Sequence, residues 1–261
     1  MRLRQSGATE TGRADFTDKT AIVTGGGSGI GAAIALALGR GGANVLVTDI
    51  DEGAAQQVAD ELERGGAKAA AMEHDVASPE AAEDVVRRAR EQFGALHLAV
   101  NNAGIGGDLN AIADYEVESW NRVIDINLNG VFYGMKYQIP AIADAGGGAI
   151  VNMASILGSV GTANSAAYVA AKHGVLGLTK AAALEYAPSR VRINAIGPGY
   201  IDTPLLEALP DDARAALIEL HPIGRLGSAE EVAQMALFLL SERASFITGS
   251  YHLVDGGYTA R

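Results

Sequence analysis

Short apolar runs alternate with longer helical segments along most of the chain. The runs are uniformly apolar or rich in β-branched residues, which is typical of strands buried on both faces of a sheet. The segments between them have the Ala, Leu, Glu and Arg content of helices. The strand runs are KTAIVT, NVLVTD, AKAAAMEH, LHLAVN, AIVNM, VRINAIG and YHLV. This alternation predicts the α/β class, with a single doubly wound parallel sheet covered by helices on both faces.

The start of the chain and one internal segment depart from this pattern. Residues 1–17 mix Arg, Gly, Thr and Glu without a period, and we expect a flexible N-terminal tail there. Residues 18–261 then form a single domain, since 261 residues with 48% hydrophobic content suffice for one large core. Residues 199–226 combine short helical patches with prolines and glycines. This composition indicates either a flap over a binding site or a plain surface helical hairpin.

A glycine-rich turn joins the first strand to the first helix. Gly25, Gly29 and Gly31 allow a tight turn, bring N–H groups against a pyrophosphate and let the helix pack closely on the strand. The second strand ends at Asp49, 18 residues after Gly31 and near the position where an acid receives a ribose 2′-hydroxyl. The alternatives are a purely structural glycine turn and an N-cap role for Asp49 or Asp51. We expect Asp51 to be the cap.

Ser155, Tyr168 and Lys172 carry a hydroxyl, a phenol and an ammonium that are able to share one proton. The four-residue step from Tyr168 to Lys172 puts both on one face of the predicted helix. Ser155 follows an apolar run and therefore lies at the carboxyl end of a strand, where open α/β sheets keep their ligands. Moving the pKa of a phenol from about 10 to about 7 takes roughly 4 kcal/mol, which requires a sheltered ammonium or a second positive charge. Taken alone, the Tyr and Lys also fit an ordinary amphipathic helix.

Two asparagines end the fourth strand run. Asn101 and Asn102 are costly to bury unless they hydrogen-bond to neighbouring strands and to a cofactor. Residues 114–148 then predict one long helical region, in which Asn127 is unfavourable by propensity.

Composition and charge exclude several classes of function. The net charge of −11 and the lack of a basic stripe argue against nucleic acid and anionic membranes as partners. No run approaches the roughly 18 apolar residues of a membrane span. The absence of cysteine fits a reducing cytoplasm, and no pair among the five histidines has metal-ligand spacing. We therefore expect a cytoplasmic protein without a metal that acts on a small molecule.

Several motifs stand in one characteristic order. They are TGGGSGIG at 24–31, Asp49, DV at 75–76, NNAG at 101–104, Ser155, YVAAK at 168–172 and GPGYIDTP at 197–204. In this order the chain resembles the short-chain dehydrogenase/reductase family, in the branch with chains of about 250 residues, from Lys19 to about Tyr258. Each motif alone is weak, whereas the joint match is very specific. The resemblance implies a Rossmann-like catalytic domain.

The resemblance also implies roles for individual residues. Tyr168 would be the acid/base, Lys172 would lower its pKa and hold the nicotinamide ribose, and Ser155 would hydrogen-bond the substrate oxygen. In the run INLNG, Asn127 would hold a water relay to Lys172, with Asn129 the weaker candidate; a structural Asn127 would need a partner of its own. The residues expected to bind the cofactor are Gly25, Ser28, Gly29, Ile30, Gly31, Asp49, Asp75, Val76, Asn102, Ala103, Gly104, Tyr168, Lys172, Pro198, Gly199, Ile201 and Thr203. Those expected to contact the substrate are Ser155, Ile156, Leu157, Tyr200, Leu205 and Leu206.

The implied reaction is reversible hydride transfer between NAD and a secondary alcohol or ketone. We expect NAD because Asp49 would face the 2′-phosphate of NADP with no Arg or Lys beside it. The expected substrate walls are apolar, and Arg214 and Arg225 lie farther along the flap. Because a buried substrate charge would lack a partner, we expect neutral, mainly apolar substrates.

Other functions share some of these motifs. A 3-oxoacyl-carrier-protein reductase shares the motifs. It would need a basic surface to bind its acidic carrier, and it would usually use NADPH. A non-catalytic NAD(H)-sensing protein would normally lack the Tyr or the Lys, and an epimerase or dehydratase would be longer with a different glycine spacing.

The family is mostly tetrameric or dimeric. A face of small and apolar residues on the helix around Tyr168, namely Ala170, Gly174, Leu178 and Ala181, leads us to expect a homotetramer.

Overall fold

The computed structural model describes residues 16–203, 206 and 210–260. Its principal strands are β1 (Thr20–Thr24), β2 (Asn44–Asp49), β3 (Ala69–Glu73), β4 (Leu98–Asn101), β5 (Gly148–Met153), β6 (Val191–Pro198) and β9 (Tyr251–Val254). They form one parallel sheet in the order β3-β2-β1-β4-β5-β6-β9. Two short strands, β7 (Ile201–Asp202) and β8 (Gly227–Ser228), pair separately. The predicted single parallel sheet is confirmed.

Helices cover both faces of the sheet. They are α1 (Gly29–Arg40), α2 (Glu52–Arg64), α3 (Pro79–Phe93), α4 (Val117–Ile124), α5 (Gly130–Asp144), α6 (Ala166–Tyr186), α7 (Asp211–Glu219) and α8 (Ala229–Leu240). Helices α1, α2 and α8 pack on one face, and α3, α5 and α6 on the other. Alternate residues of each strand serve the two layers, so Val23 of β1 faces the first and Ile22 the second. This is the doubly wound arrangement.

The strand order reverses direction between β1 and β4. The chain runs outward from β1 to β2 and β3, then returns to β4 on the other side of β1. Helices that follow β1 and β4 therefore lie on opposite faces, which leaves a crevice at the carboxyl ends of these two strands. The site described below lies along this edge.

Local signals place the helix ends, and the predicted cap is one of them. Asp51 caps α2 by accepting the Ala54 N–H at 3.0 Å. Ser228 and Glu231 form the capping box of α8. At the other end of α8, the guanidinium of Arg192 donates to the carbonyls of its last residues, including that of Leu239 at 2.6 Å. A cation from β6 thus satisfies carbonyls that have no partner within the helix.

Two sequence expectations need correction. Residues 1–15 of the predicted tail lie outside the described residues, but Phe16 is only 2% exposed and donates its N–H to the Gly41 carbonyl at 2.8 Å. A single buried aromatic residue has no period, so the pattern put the domain boundary too late. The predicted continuous helix over 114–148 is divided by a π-helical turn at Asp125–Asn129, between α4 and α5. Such turns often mark functional sites. None of the described helices is both long and apolar enough to cross a membrane.

A buried histidine makes the fold sensitive to acid. His74 is 5% exposed, its Nδ1 lies 3.1 Å from the Thr48 hydroxyl, and burial lowers its pKa to about 4. The unfolded chain takes up this proton at the ordinary value of 6.5, so between these values it binds more protons than the folded state, and stability falls as the pH falls.

We expect His74→Gln to weaken this acid sensitivity. The wild type should lose roughly 2 kcal/mol of unfolding free energy through His74 between about pH 7 and about pH 5. Urea unfolding at both pH values measures the difference. An equal pH dependence in wild type and His74→Gln would contradict this explanation.

Candidate active site

The glycine-rich turn forms the floor of the crevice after β1. Gly25 and Gly29 have φ angles of +61° and +50°, in the left-handed region that favours glycine. A Cβ on Gly31 would collide with the Gly25 carbonyl, so this residue must also be small. The backbone geometry of the turn therefore requires glycine at these three positions, whether or not a ligand binds. What makes it a binding site is the helix end that it carries.

The N-terminus of α1 has unused hydrogen-bonding groups. Ser28 is its N-cap, yet the serine hydroxyl makes no capping bond, and no acidic residue stands in the first turn, which includes Ile30. The side chain of Thr203 lies across from Gly29, with its methyl carbon 3.4 Å from where a Cβ would be. Free amides, a hydroxyl and the positive end of the helix dipole together fit the pyrophosphate of a dinucleotide.

Asp49 stands at the end of β2, beside the glycine turn. One carboxylate oxygen accepts the Gly27 N–H at 3.0 Å and the other accepts the Asp51 N–H at 3.1 Å. Each oxygen keeps a further lone pair for a ribose hydroxyl. Asp75 accepts the Ala77 N–H at 2.9 Å. Its neighbour Val76 is buried against Gly130 at the start of α5.

Thr24 fixes the segment after β4 to the glycine turn, although the sequence predicted no role for this residue. Its hydroxyl accepts the N–H groups of Asn102 and Ala103 at 3.0 and 3.1 Å. The Asn102 amide donates back to the carbonyls of Thr24 and Gly25. The Asn101 side-chain amide donates to the side-chain Oδ1 of Asn152 on β5 at 2.9 Å. The expected bonds to neighbouring strands are thus present.

The structure brings Ser155, Tyr168 and Lys172 together at the carboxyl end of β5. The Ser155 hydroxyl lies near the Tyr168 phenol and lowers its pKa, against the rise caused by burial. Lys172 is 3% exposed, and its Nζ donates to the Met153 carbonyl at 2.9 Å and lies 5.4 Å from the centre of the Tyr168 ring. Burial lowers the pKa of Lys172 to about 8. A hydroxyl, a phenol and an ammonium therefore share one sheltered site.

The expected lowering of the Tyr168 pKa by Lys172 is not seen in the protein alone. Burial raises the pKa of Tyr168, and the Ser155 hydrogen bond opposes that rise. The physical reason is that the Lys172 ammonium is directed to the Met153 carbonyl and lies over the phenol ring. A phenolate here needs an additional positive charge, such as that of an oxidised nicotinamide.

Asn127 has the partner of its own that a structural role requires. It is fully buried in the π-helical turn, where its Oδ1 accepts the Ile105 N–H at 3.0 Å and its Nδ2 donates to the Ile105 carbonyl at 2.9 Å. A Cβ on Gly104 would collide with this Oδ1 and lie 3.6 Å from the Lys172 Nζ. The side chain thus holds the loop beside Lys172, while Asn129 bonds to Asp125.

The described substrate residues of the prediction lie in two segments, one directly after Ser155 and one after β6. Ile156 and Leu157 form a buried 3₁₀ turn directly after Ser155. Tyr200 influences the pKa of Tyr168, which indicates that the two side chains are near each other, and its own pKa is raised by burial. Leu206 is half-buried, whereas Leu205 lies outside the described residues.

Residues after β6 connect the flap to the sheet. Pro198 ends β6, and the Gly199 N–H donates to the Val254 carbonyl at 3.0 Å. Ile201 is buried in β7. His221 is 3% exposed, and its Nε2 accepts the Tyr200 N–H at 3.2 Å.

A small cavity borders this segment. Its volume is about 60 Å³, and its lining includes Tyr200, His221, Arg225 and Asp255. Neither Ser155 nor Tyr168 lines it. Among the described residues, no group of three or more His, Asp or Glu is placed to hold a metal ion.

A glycine turn that fits a pyrophosphate, at the switch point of a parallel sheet and beside a sheltered group of Ser, Tyr and Lys, is the arrangement expected of a dinucleotide-dependent oxidoreductase. Comparisons with known proteins refine this class. The family model described as enoyl-(acyl carrier protein) reductase matches residues 25–259. Cyclohexanol dehydrogenase of Acinetobacter sp. (strain SE19) is 56% identical over 246 residues, which cover 94% of this chain and 97% of the relative.

Two further matches agree with this result. Cis-4-hydroxycyclohexanecarboxylate dehydrogenase of Sinomonas cyclohexanicum is 46% identical, covering 94% of this chain and 98% of the relative. The crystal structure of a short-chain type dehydrogenase/reductase from Mycobacterium marinum superposes with a TM-score of 0.91 at 37% identity, covering 95% and 98% of the two chains. The protein belongs to the short-chain dehydrogenase/reductase family. It is an alcohol dehydrogenase of this family, whose dehydrogenases use nicotinamide cofactors.

The contact between Gly104 and Asn127 gives a local prediction. We expect Gly104→Ala to displace the Asn127 amide and to cost about 1 to 3 kcal/mol of unfolding free energy, with weaker NADH binding. Gly106→Ala is the matched control, because a Cβ there meets nothing within 4 Å. Thermal unfolding and NADH fluorescence titration measure both effects. Equal stability and NADH affinity in the two variants would contradict the proposed packing.

Proposed function

We propose that this protein is an NAD-dependent dehydrogenase that oxidises neutral, mainly apolar cyclic secondary alcohols and reduces the corresponding ketones. The observation that carries the proposal is the grouping of the Tyr168 phenol with the buried Lys172 ammonium, 5.4 Å from its ring centre, and with the Ser155 hydroxyl, which opposes the rise of its pKa on burial. The names of two relatives support the cyclic substrate class, because both describe dehydrogenases of six-membered ring alcohols.

In the proposed oxidation, Tyr168 accepts the proton of the substrate hydroxyl while Ser155 holds the same oxygen. Bound NAD supplies the acceptor for the hydride that leaves the carbinol carbon. Two hydroxyl groups aimed at one oxygen stabilise its alkoxide character in the transition state. Lys172, with a pKa of about 8, is largely protonated near neutral pH and contributes a positive charge beside the phenol. In the reduction, Tyr168 returns the proton to the carbonyl oxygen.

We propose a positioning role for Asn127. Both ends of its side-chain amide are engaged by Ile105, so a water relay through that amide would have to break these bonds. By holding Ile105, the asparagine keeps the Gly104 backbone close to Lys172.

The surroundings of the site support a neutral substrate. Two cations of the flap already have carboxylate partners: Arg214 lies 2.6 Å from Asp202, and Arg225 lies 2.7 Å from Glu231. A carboxylate or phosphate on the substrate would therefore compete with existing ion pairs. The buried Ile156 and Leu157 favour an apolar ring instead.

The carrier-protein reductase remains the alternative function. It would want a basic dock for an acidic carrier, which the net charge of −11 does not favour. A non-catalytic sensor is disfavoured because the Tyr and the Lys are both present.

We also propose a cytoplasmic location, supported by the lack of cysteine, and a homotetramer. On the helix face expected to pack against another subunit, Ala170 and Ala181 are exposed, but Gly174 packs against Leu128 of the same chain. Exposed apolar groups on the neighbouring α5 and on α6, Phe132 and Leu184, extend this face. A monomer mass by light scattering at micromolar concentration would contradict the assembly.

A substrate panel tests the proposed function. We expect the highest kcat/KM for cyclohexanol with NAD, and at least about tenfold lower values for cis-4-hydroxycyclohexanecarboxylate and for a sugar, since an unpaired buried charge or hydroxyl costs more than about 1.4 kcal/mol. Tyr168→Phe should abolish turnover of the best substrate yet bind NADH like the wild type, because the phenol acts on the proton. A preference for the carboxylate or the sugar would overturn the substrate class, and wild-type turnover in folded Tyr168→Phe would overturn the mechanism.

The choice of NAD is tested at Asp49. Its charge about 4 Å from a 2′-phosphate would cost up to about 4 kcal/mol at an effective dielectric constant near 20. Asp49→Asn removes the charge but keeps a side-chain oxygen that accepts hydrogen bonds. We expect this variant to narrow the preference for NAD over NADP by about tenfold or more in kcat/KM. Asp51→Asn, which retains a good N-cap two residues away, should leave the preference unchanged. Equal kcat/KM values for the two cofactors in the wild type would contradict the proposal.

A further inference from the structure

A tyrosine of the last strand reaches the backbone of the catalytic serine. The Tyr251 hydroxyl, on β9, donates to the Ser155 carbonyl oxygen at 2.6 Å. We propose that Tyr251 is a positioning residue, which holds Ser155 in place for the substrate oxygen and for Tyr168. This inference rests on the proposed function of Ser155 and adds a residue that touches neither substrate nor cofactor.

The sheet has a specific opening for this side chain. β6 lies between β5 and β9, so the Tyr251 ring has to cross β6 to reach the residues that follow β5. It crosses at Gly197, where a Cβ would collide with the Tyr251 hydroxyl and lie 2.5 Å from the ring carbon that carries it. Because any larger residue at 197 would occupy this path, Gly197 and Tyr251 act as a matched pair.

The tyrosine holds the start of the turn that follows Ser155. Its hydroxyl donates to the Ser155 carbonyl, and the Ser159 hydroxyl at the end of the turn opposes the rise in the Tyr251 pKa. Ser159 also donates to the Ile156 carbonyl at 3.1 Å. The buried Ile156 and Leu157 lie within this turn. Tyr251 therefore fixes the backbone that carries the proposed hydrogen-bond donor and part of the proposed substrate wall.

The contact bears on catalysis because the Ser155 hydroxyl has several tasks. It accepts the Leu157 N–H at 3.2 Å and opposes the rise in the pKa of the Tyr168 phenol. Because Tyr251 holds the Ser155 carbonyl, the Ser155 backbone cannot rotate freely, and the serine hydroxyl keeps its direction. Burial raises the pKa of Tyr251, which keeps its own hydroxyl protonated and able to donate.

The test is Tyr251→Phe, which keeps the ring and removes the hydroxyl. Loss of one hydrogen bond that orients Ser155 should lower kcat by about threefold to tenfold and leave the Kd for NADH unchanged. The acid limb of the kcat/KM pH profile should move to higher pH, in the same direction as in Ser155→Ala. Tyr186→Phe, at the exposed end of α6, is the matched control and should behave like the wild type.

A second measurement does not depend on the substrate. The absorbance of tyrosinate is titrated with NADH bound. Each protein is compared with a counterpart that also carries Tyr168→Phe, and the difference between the two titration curves gives the pKa of Tyr168. We expect a higher Tyr168 pKa in the Tyr251→Phe background than in the wild type. The positioning role is overturned if this pKa is unchanged, or if kcat and the Kd for NADH change together in proportion to a loss of folded protein. Failure of the wild type to oxidise any alcohol would instead overturn the proposed function and leave the absorbance result to decide the role of Tyr251.

Discussion

The structure depends on keeping one ammonium group charged inside the protein. Moving an ammonium out of water is costly unless neighbouring groups compensate it. Lys172 is compensated by the Met153 carbonyl and by the face of the Tyr168 ring, and its pKa falls only to about 8. This arrangement requires the end of β5 and the first turns of α6 to keep a fixed distance. The neighbouring elements contribute to that rigidity.

Much of the rigidity comes from polar groups buried beneath the site. Asn101 of β4 bonds to Asn152 of β5 and to Gln138 of α5, and Asn152 continues to Thr179 of α6. These bonds link two strands to the helices on one face of the sheet, and each of these four side chains has a partner. Buried polar networks of this kind specify one arrangement, because a shifted strand would leave amides unpaired. The carboxyl ends of the strands are therefore held in register.

Much of this molecule was predictable from the sequence because its signals are local. The apolar runs placed the principal strands, and the Asp51 cap and the Ser228 capping box placed helix starts, since each depends on residues a few positions apart. The glycine turn was predictable for the same reason. The π-helical turn at Asp125–Asn129 was not predicted, because one extra residue in a turn leaves the helical pattern almost unchanged.

The sequence by itself determined the fold class, the glycine turn and the identity of the side chains that we propose handle the proton. Only the tertiary structure decided how those side chains are used. It directs Lys172 to the Met153 carbonyl, engages Asn127 with Ile105 and brings Tyr251 to Ser155 across 96 positions of the chain. Local patterns report which face of an element is buried. They do not report which distant hydrogen-bonding group lies opposite, because that depends on the order and packing of strands remote in sequence.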